Sequence, residues 1–240
     1  MNAPDLYNAN AVRSLFDEMS QTYGWTNMIS SFGFSKRWRE QCVGQALIEP
    51  GMRVYDLMTG MGECWGAIGR RLDGRGALVA LDFSAQMCRR ARTHMPRLQP
   101  LAVQVVEEDV LLNTLADESA DRVLSNFGLK TFSDPQQELL AREIERILRP
   151  GGMFSLIEIS VPPGLLLRLL YLFYLKRIIP IIGKLMLGNP DNYRMLGIYT
   201  EQFGNCTRMG EHLRAAGLEV EDRRYFYGCA SGLVGRKACA

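Results

Sequence analysis

Three aspartates, Asp56, Asp82 and Asp109, recur at intervals of 26 and 27 residues, each at or just past the end of a short apolar run. A carboxylate can accept from a pair of hydroxyls or from an amino group, and one alone serves as readily as a helix cap or a solvated turn. Three at successive strand ends, spaced by one strand–helix unit, converge on a single ligand that offers both kinds of donor, which describes a nucleoside. The first lies in the stretch Val54-Tyr55-Asp56-Leu57-Met58-Thr59-Gly60-Met61-Gly62-Glu63. Gly60 and Gly62 lack a Cβ, so the backbone there can turn tightly and lie against a ligand. Gly-x-Gly is shared with dinucleotide folds, but Cys64 and Trp65 stand where a third glycine would admit a pyrophosphate. The expected ligand is therefore a nucleoside without phosphate. Asp56 would accept from loop amides or, through water, from the ligand's amino group. Asp82 would accept the two ribose hydroxyls. Asp109 would face the adenine amino group, with the Val110 backbone amide offered to a ring nitrogen.

The elements that must position these residues read as five buried strands: Met52–Leu57, Ala77–Leu81, Leu101–Val106, Arg122–Ser125 and Met153–Ile159. None alternates cleanly, the pattern of strands covered on both faces of a parallel sheet. Helices are expected between them at Cys64–Leu72, Ser84–His94 and Pro135–Leu148, with Ser84 and Asp134 as caps. Arg149-Pro150-Gly151-Gly152 stops the last of these. The tail carries a helix at Arg208–Ala216 and two strand-like runs, Glu219–Tyr227 and Ala230–Arg236, close enough to pair only as an antiparallel hairpin. A parallel α/β sheet ending in such a hairpin is typical of the Rossmann-like class I fold of S-adenosylmethionine (SAM)-dependent methyltransferases, and SAM carries no phosphate. The expected organisation is an N-terminal helical lid over 1–50, a SAM-binding core over 51–162, an apolar helical cap over 163–206, and a helix with hairpin over 207–240 that completes the sheet.

Composition narrows the class. At 240 residues the chain builds one well-buried core. A net charge of +2 gives no electrostatic case for nucleic acid as a partner. A nucleic-acid methyltransferase would also carry a Pro-Pro pair where Asn126-Phe127-Gly128-Leu129 stands. The six cysteines form no Cys-x-x-Cys pair and there are two histidines, so zinc is not expected. Met1–Asn10 is polar, without the apolar core of a signal peptide. The expected location is cytoplasmic, peripheral on an inner membrane surface if residues 164–188 make contact there. That segment is rich in leucine but interrupted by Arg168, Lys176, Arg177, Lys184 and the helix breaker Pro180. It is too interrupted to span a bilayer, and either packs as a cap or lies on the surface.

Three stretches carry a family resemblance. They are Tyr23-…-Asn27-…-Ser30-Ser31-Phe32-Gly33-…-Trp38, Asn126-Phe127-Gly128-Leu129-Lys130, and Arg146-Ile147-Leu148-Arg149-Pro150-Gly151-Gly152-…-Glu158-Ile159-Ser160. Over nearly its whole length the chain resembles the ubiquinone/menaquinone biosynthesis C-methyltransferases. The resemblance implies that Met61, Asp82, Asp109, Val110 and Asn126 touch SAM, and that Tyr23 in the N-terminal lid lies near the methionine end. Glu158 would either face the substrate from the end of the fifth strand or anchor a loop. The chain departs from the family's pattern where Gly24 replaces an Asp, Ser35 a His and Lys130 an Arg, and where Met58 and Met61 replace small residues. Lys130 keeps the charge without the planar fork. Losing those three polar groups together points away from ordinary ring methylation, which needs a helper to raise the nucleophilicity of carbon.

The loop wording, with Asn192-Tyr193-Arg194-Met195-Leu196 and Tyr199-Thr200 downstream, is similar to a divergent branch of these enzymes that serves rhodoquinone biosynthesis. That similarity implies a lipophilic quinone substrate, and transfer of the amino group of SAM to ubiquinone in place of a methoxy group, with Mn2+ assisting. Glu63 is the carboxylate nearest the loop for such an ion, though no metal motif is visible. C-methylation of a quinol is the alternative, and a non-catalytic SAM-binding scaffold is an alternative of another class. A homo-oligomer or a quinone-synthesis complex is the expected assembly.

Overall fold

The computed structural model describes residues 6–20, 31–185 and 189–239. Seven strands form one sheet in the order β3-β2-β1-β4-β5-β7-β6. They are β1 (Arg53–Leu57), β2 (Ala77–Asp82), β3 (Ala102–Glu107), β4 (Ala120–Asn126), β5 (Leu148–Ile159), β6 (Leu218–Tyr225) and β7 (Ala230–Lys237). The first five pair parallel, and β7 runs antiparallel between β5 and β6. This is the class I methyltransferase arrangement, with the expected hairpin at its end.

Successive strand residues point to opposite faces, and each face has its own core. On one, Val54, Leu78, Leu124 and Ile157 meet α2 (Phe34–Gln45) through Trp38, Cys42 and Val43, and α3 (Trp65–Leu72) through Trp65, Ile68 and Leu72. On the other, Tyr55, Leu57, Val123 and Leu156 meet α5 (Asp134–Ile147) and α9 (Thr207–Ala215) through Leu140, Ile144, Met209 and Leu213. The central strands are covered on both faces as expected. β3 is not, because it is an edge strand: no residue of it is fully buried, and Gln104 and Glu107 are polar.

Two local expectations are corrected. The cap of α5 is Ser133, whose backbone N–H donates to the Gln136 side chain at 2.9 Å, so Asp134 begins the helix and instead meets Arg208 and His212 of α9. Pro180 does not break the apolar segment. α6 (Leu165–Phe173) runs through a π-turn at Tyr174–Ile178 into α7 (Ile179–Leu185), and Pro180 is the second residue after that turn. A widened turn directly before it accommodates the missing N–H.

A third cluster roofs the carboxyl edge of the sheet. Val12, Leu15 and Met19 of α1 (Ala9–Met19) pack with Tyr193 and Tyr199 of α8 (Pro190–Phe203). The Tyr199 hydroxyl donates to the Leu6 carbonyl at 2.6 Å. Asp17 fastens α1 to α4 (Ala85–Arg92), accepting from Ser84 Oγ at 2.5 Å and from the Gln86 amide at 3.3 Å.

The closing hairpin depends on a missing side chain. A Cβ on Gly235 would stand 1.9 Å from the Glu219 carbonyl oxygen and 2.6 Å from the Phe154 ring. Gly235→Val is expected to destabilise the fold by about 1–3 kcal/mol, as overpacking typically does, measured as a lower urea midpoint at unchanged slope.

Candidate functional site

One cavity opens at the carboxyl ends of β1, β2 and β4, where the strand order reverses from β1 toward β2 and toward β4. Asp56, Gly60, Asp82, Asp109, Val110 and Asn126 all line it. The three aspartates at strand-end spacing therefore do converge on one space. Asp109 also accepts from the Leu111 amide at 2.9 Å, so the capping role and the cavity role are combined in one side chain. Met61 and Gly62 do not line the cavity, while Met58 and Thr59 do. Gly60 and Gly62 both have left-handed backbone (φ 59° and 81°), and the double turn carries Met61 into a buried position. Gly62 is needed against Trp65, since a Cβ there would fall 2.7 Å from the indole ring.

The two innermost carboxylates are held by neutral donors. Asp56 accepts from the Thr59 hydroxyl at 2.5 Å, and that oxygen in turn accepts from Trp65 Nε1 at 2.8 Å. Asp82 accepts from the Gly60 amide at 2.8 Å and the Ser84 amide at 2.9 Å. Burial pushes Asp56 up to about 7 from 3.8, against the Thr59 hydrogen bond, with Glu63 adding a smaller upward push. Burial likewise pushes Asp82 up to about 6, against its two backbone hydrogen bonds. Asn126 presents both atoms of its amide to this space buried and without a hydrogen-bond partner, its polar neighbour being the Cys42 thiol. Such an orphaned amide in a native fold asks for a ligand. Together these residues fit a cationic nucleoside: acceptors for hydroxyl and ammonium groups, and an amide with free capacity.

Two residues of the wall were not legible from spacing. Arg39 lies over the Phe127 ring, 4.8 Å from its centroid, and pairs with Glu63 at 3.8 Å. Glu63, the expected metal carboxylate, is thus committed to Arg39 and to the Met61 amide at 3.2 Å. Among the described residues no group of three or more His, Cys, Asp or Glu side chains could hold a metal ion.

Lys130 and Glu158 face each other. Their side chains are 3% and 0% exposed and bond at 2.9 Å. Lys130 Nζ also donates to the Phe127 carbonyl at 2.7 Å, and Glu158 accepts from the backbone amides of Lys130 and Ile159. Neither lines this cavity or a second one beyond the Phe127 wall. The Lys130 charge is turned inward, and Glu158 takes the loop-anchoring role, one of its two alternatives. The pair ties the loop after β4, where Phe127 has a left-handed φ of 67°, to the end of β5. Tyr23 and Gly24 lie outside the described residues.

A second cavity of about 290 Å3 lies beyond the Phe127 wall. That is far more than one water needs. Trp38, which lines it, meets the Phe127 ring edge-on at 6.5 Å. Its other walls are Ile159, Phe34, Phe226 and the inner side of the α6 segment, including Leu167, Tyr171 and Tyr174. Ser31 and Ser35 line it too, hydrogen-bonded to one another at 2.8 Å, so a hydroxyl stands where the resemblance implied a His in the family. Burial holds the Tyr171 and Tyr174 phenols above their usual range. The cavity contains hydroxyls and apolar surface but no carboxylate, amine or imidazole among its described lining.

The model of the ubiE/COQ5 methyltransferase family matches residues 5–237. The demethylmenaquinone methyltransferase of Thermus thermophilus is 32% identical over 221 residues, covering 92% of this chain and 99% of its own. That of Deinococcus radiodurans is 31% identical over 227 residues, covering 95% and 92%. Among solved structures, a SAM-dependent methyltransferase from Aquifex aeolicus superposes with a TM-score of 0.57 at 18% identity, covering 82% of this chain and 88% of that one. The [4+2]-cyclase SpnF superposes with a TM-score of 0.60 at 17% identity, covering 85% and 81%. At such identity the likeness concerns the fold alone.

Two outcomes follow from the geometry. Lys130→Met leaves a buried Glu158 without its cation and is expected to cost about 3–5 kcal/mol in chemical denaturation, most of it recovered in Lys130→Met/Glu158→Gln. The second concerns protons. Asp56 and Asp82 are raised in the fold above their unfolded value, so the native state binds more protons between about pH 4 and 7, and its stability falls as pH rises through that interval. A bound cation favours the ionised carboxylates. Binding of SAM at pH 7 should therefore release protons, seen in calorimetry as a buffer-dependent enthalpy, and affinity should fall severalfold from pH 7.5 to pH 6. Asp56→Asn should abolish most of that proton release.

Proposed function

Since this chain belongs to the ubiE/COQ5 methyltransferase family, we propose that it uses SAM to modify the ring of a polyprenylated benzoquinone, and that the group transferred is the amino group. The ring would enter from the apolar cavity and meet the cofactor at the Phe127–Trp38 wall, with the isoprenoid tail against Leu167, Tyr171 and Tyr174. What carries the reading is where the proton acceptors lie. Among the described residues, every carboxylate lining the two cavities is in the one shared with the cofactor loop, and the described polar lining of the second cavity is hydroxyls, the Cys229 thiol and the Trp38 indole.

Methylation of a quinol carbon calls for a base or a positive group beside the ring to build nucleophilic character there. The family's Asp, His and Arg are replaced by Gly24, Ser35 and an inward-turned Lys130. Amino transfer places the demand elsewhere. The quinone is already the electrophile, and the nucleophile is an amine that must first lose a proton. SAM supplies that amine, and the chain's part is to receive the proton, orient the two partners and exclude water. Asp56, buried by the loop and raised to about 7, is matched to accept a proton from an ammonium at neutral pH. The nitrogen would bond to the ring carbon as methanol leaves with the proton. The donor's Cα–N bond would then break by loss of the Cα proton, passage of that electron pair into the quinone ring and hydrolysis of the resulting imine by water. This leaves the aminoquinone as its quinol and the donor skeleton as a 2-oxo acid. Asp82, Asp109 with the Val110 amide, and Asn126 would hold the nucleoside. Mn2+, implied by the resemblance to the rhodoquinone branch, could favour the same deprotonation, and no step here is routed through it.

Methyl transfer to a demethylmenaquinone-type ring is the second reading, favoured by the names of the relatives at 31–32% identity. Labelling decides between them. Incubation with ubiquinone and SAM labelled separately at the amino nitrogen and the methyl carbon is expected to give an aminoquinone carrying the nitrogen label and no methyl label. A product carrying the methyl label would establish the second reading. Asp56→Asn is expected to lower turnover by about 100-fold or more, the usual worth of a positioned base.

A further inference from the structure

The apolar segment has an outer side that meets the two cavities only at Leu170. Leu165, Leu166, Leu169, Leu170 and Phe173 of α6 are 58–74% exposed, and no residue of this helix is fully buried. They fall on one face, at i, i+1, i+4, i+5 and i+8. Beside it stand Phe32, Phe226 and Tyr227, at 79%, 50% and 81% exposure. All three have left-handed backbone, with φ of 50°, 41° and 55°. Bulky aromatic residues seldom adopt that conformation, and although Phe32 and Phe226 also border the second cavity, all three residues remain half or more exposed. A contiguous apolar surface of this kind marks a place of contact.

We infer that this face docks on a lipid bilayer bearing anionic headgroups, and that the second cavity opens directly into that bilayer. Charge selects the occupant. From 164 to 188 there is no Asp or Glu, and four cations are present. Lys176 pairs with Glu201, whereas Arg168, Arg177 and Lys184 are exposed around the leucines. A second copy of this chain on a two-fold axis would set these cations against one another, whereas an anionic surface meets them all. Leucine and aromatic side chains below with cations at headgroup level is the pattern of a helix lying in the interface plane. No helix among the described residues is long and apolar enough to cross a membrane. Continuity supplies the second half. Leu170 is both exposed and a wall of the cavity, and Phe32 stacks on Tyr174, another wall, at 6.1 Å. A polyprenylated acceptor can pass from bilayer to cavity along apolar surface only. The docking rests on the exposed face alone; the passage of the acceptor rests also on the reading given above.

The test is flotation of the full chain with phosphatidylcholine vesicles, with and without phosphatidylglycerol. Wild type is expected to float with the anionic vesicles and to be released by high salt. Leu166→Glu/Leu169→Glu changes two exposed residues that line neither cavity, and is expected to weaken binding about tenfold or more while leaving SAM affinity unchanged. Arg168→Glu/Arg177→Glu should weaken binding to anionic vesicles alone. Wild type that stays unbound, a glutamate variant that floats as well as wild type, or a solution dimer that this variant splits would each overturn the proposal. Turnover is then compared on a tail-less quinone in solution and a long-tailed one in vesicles. The variant should lose only the second, whereas no turnover of either by wild type would count against the quinone reading and leave the flotation result standing.

Discussion

Asp56 and Asp82 end adjacent strands, are removed from water, and among the described residues accept no hydrogen bond from a cation. Their oxygens are satisfied by the Thr59 hydroxyl and by the Gly60 and Ser84 amides. Holding two carboxylates in such a place is unfavourable, which is why both titrate above 3.8. Much of the local structure follows from satisfying them. The Gly60 amide can reach Asp82 only because the loop turns through left-handed backbone, and Thr59 can reach Asp56 only because Trp65 holds its hydroxyl from the other side. Ser84, which donates its amide to Asp82, also donates its hydroxyl to Asp17, so the roof helix α1 is tied to the same centre. A ligand with a positive centre relieves the unfavourable term, and binding is thereby coupled to the protonation of the loop.

That centre was legible in the sequence because it depends on position along strands. Strand–helix spacing fixes which residues reach the carboxyl edge, and three aspartates at that spacing had few other uses. The closing hairpin was legible for a similar reason, since two runs separated only by a short turn can pair in one way. Residue-level contacts inside the loop were harder. Met61 and Gly62 were expected at the ligand, but two successive left-handed turns move Met61 into the core, and backbone φ is not written in a Gly-x-Gly pattern. Arg39 was invisible, because its place over Phe127 depends on how α2 packs across the sheet. Pro180 misled, because a π-turn accommodates it and nothing local announces a π-turn.

The two cavities divide the chemistry between them. One is lined by carboxylates and an unpartnered amide, the other by hydroxyls and hydrocarbon, and the Phe127–Trp38 contact stands at their junction. The fold does not choose the reaction. A methyltransferase and a [4+2]-cyclase both share it at TM-scores of 0.57 and 0.60. Any choice must come from side chains at that junction, and the described lining of the second cavity carries no charged group.

Lys130 shows how a buried cation can be kept from both cavities. An arginine fork at this position could satisfy the carboxylate of Glu158 and still have donors to direct elsewhere. The shorter set of a lysine ammonium goes to Glu158 and the Phe127 carbonyl. The β4 loop is anchored, Phe127 holds its left-handed backbone, and the Lys130 charge reaches neither cavity. Ser35 likewise brings to the second cavity only a hydroxyl, bonded to Ser31. Under the proposed amino transfer the ring needs no charge beside it, and the proton acceptor is wanted on the other side of the wall, where Asp56 stands.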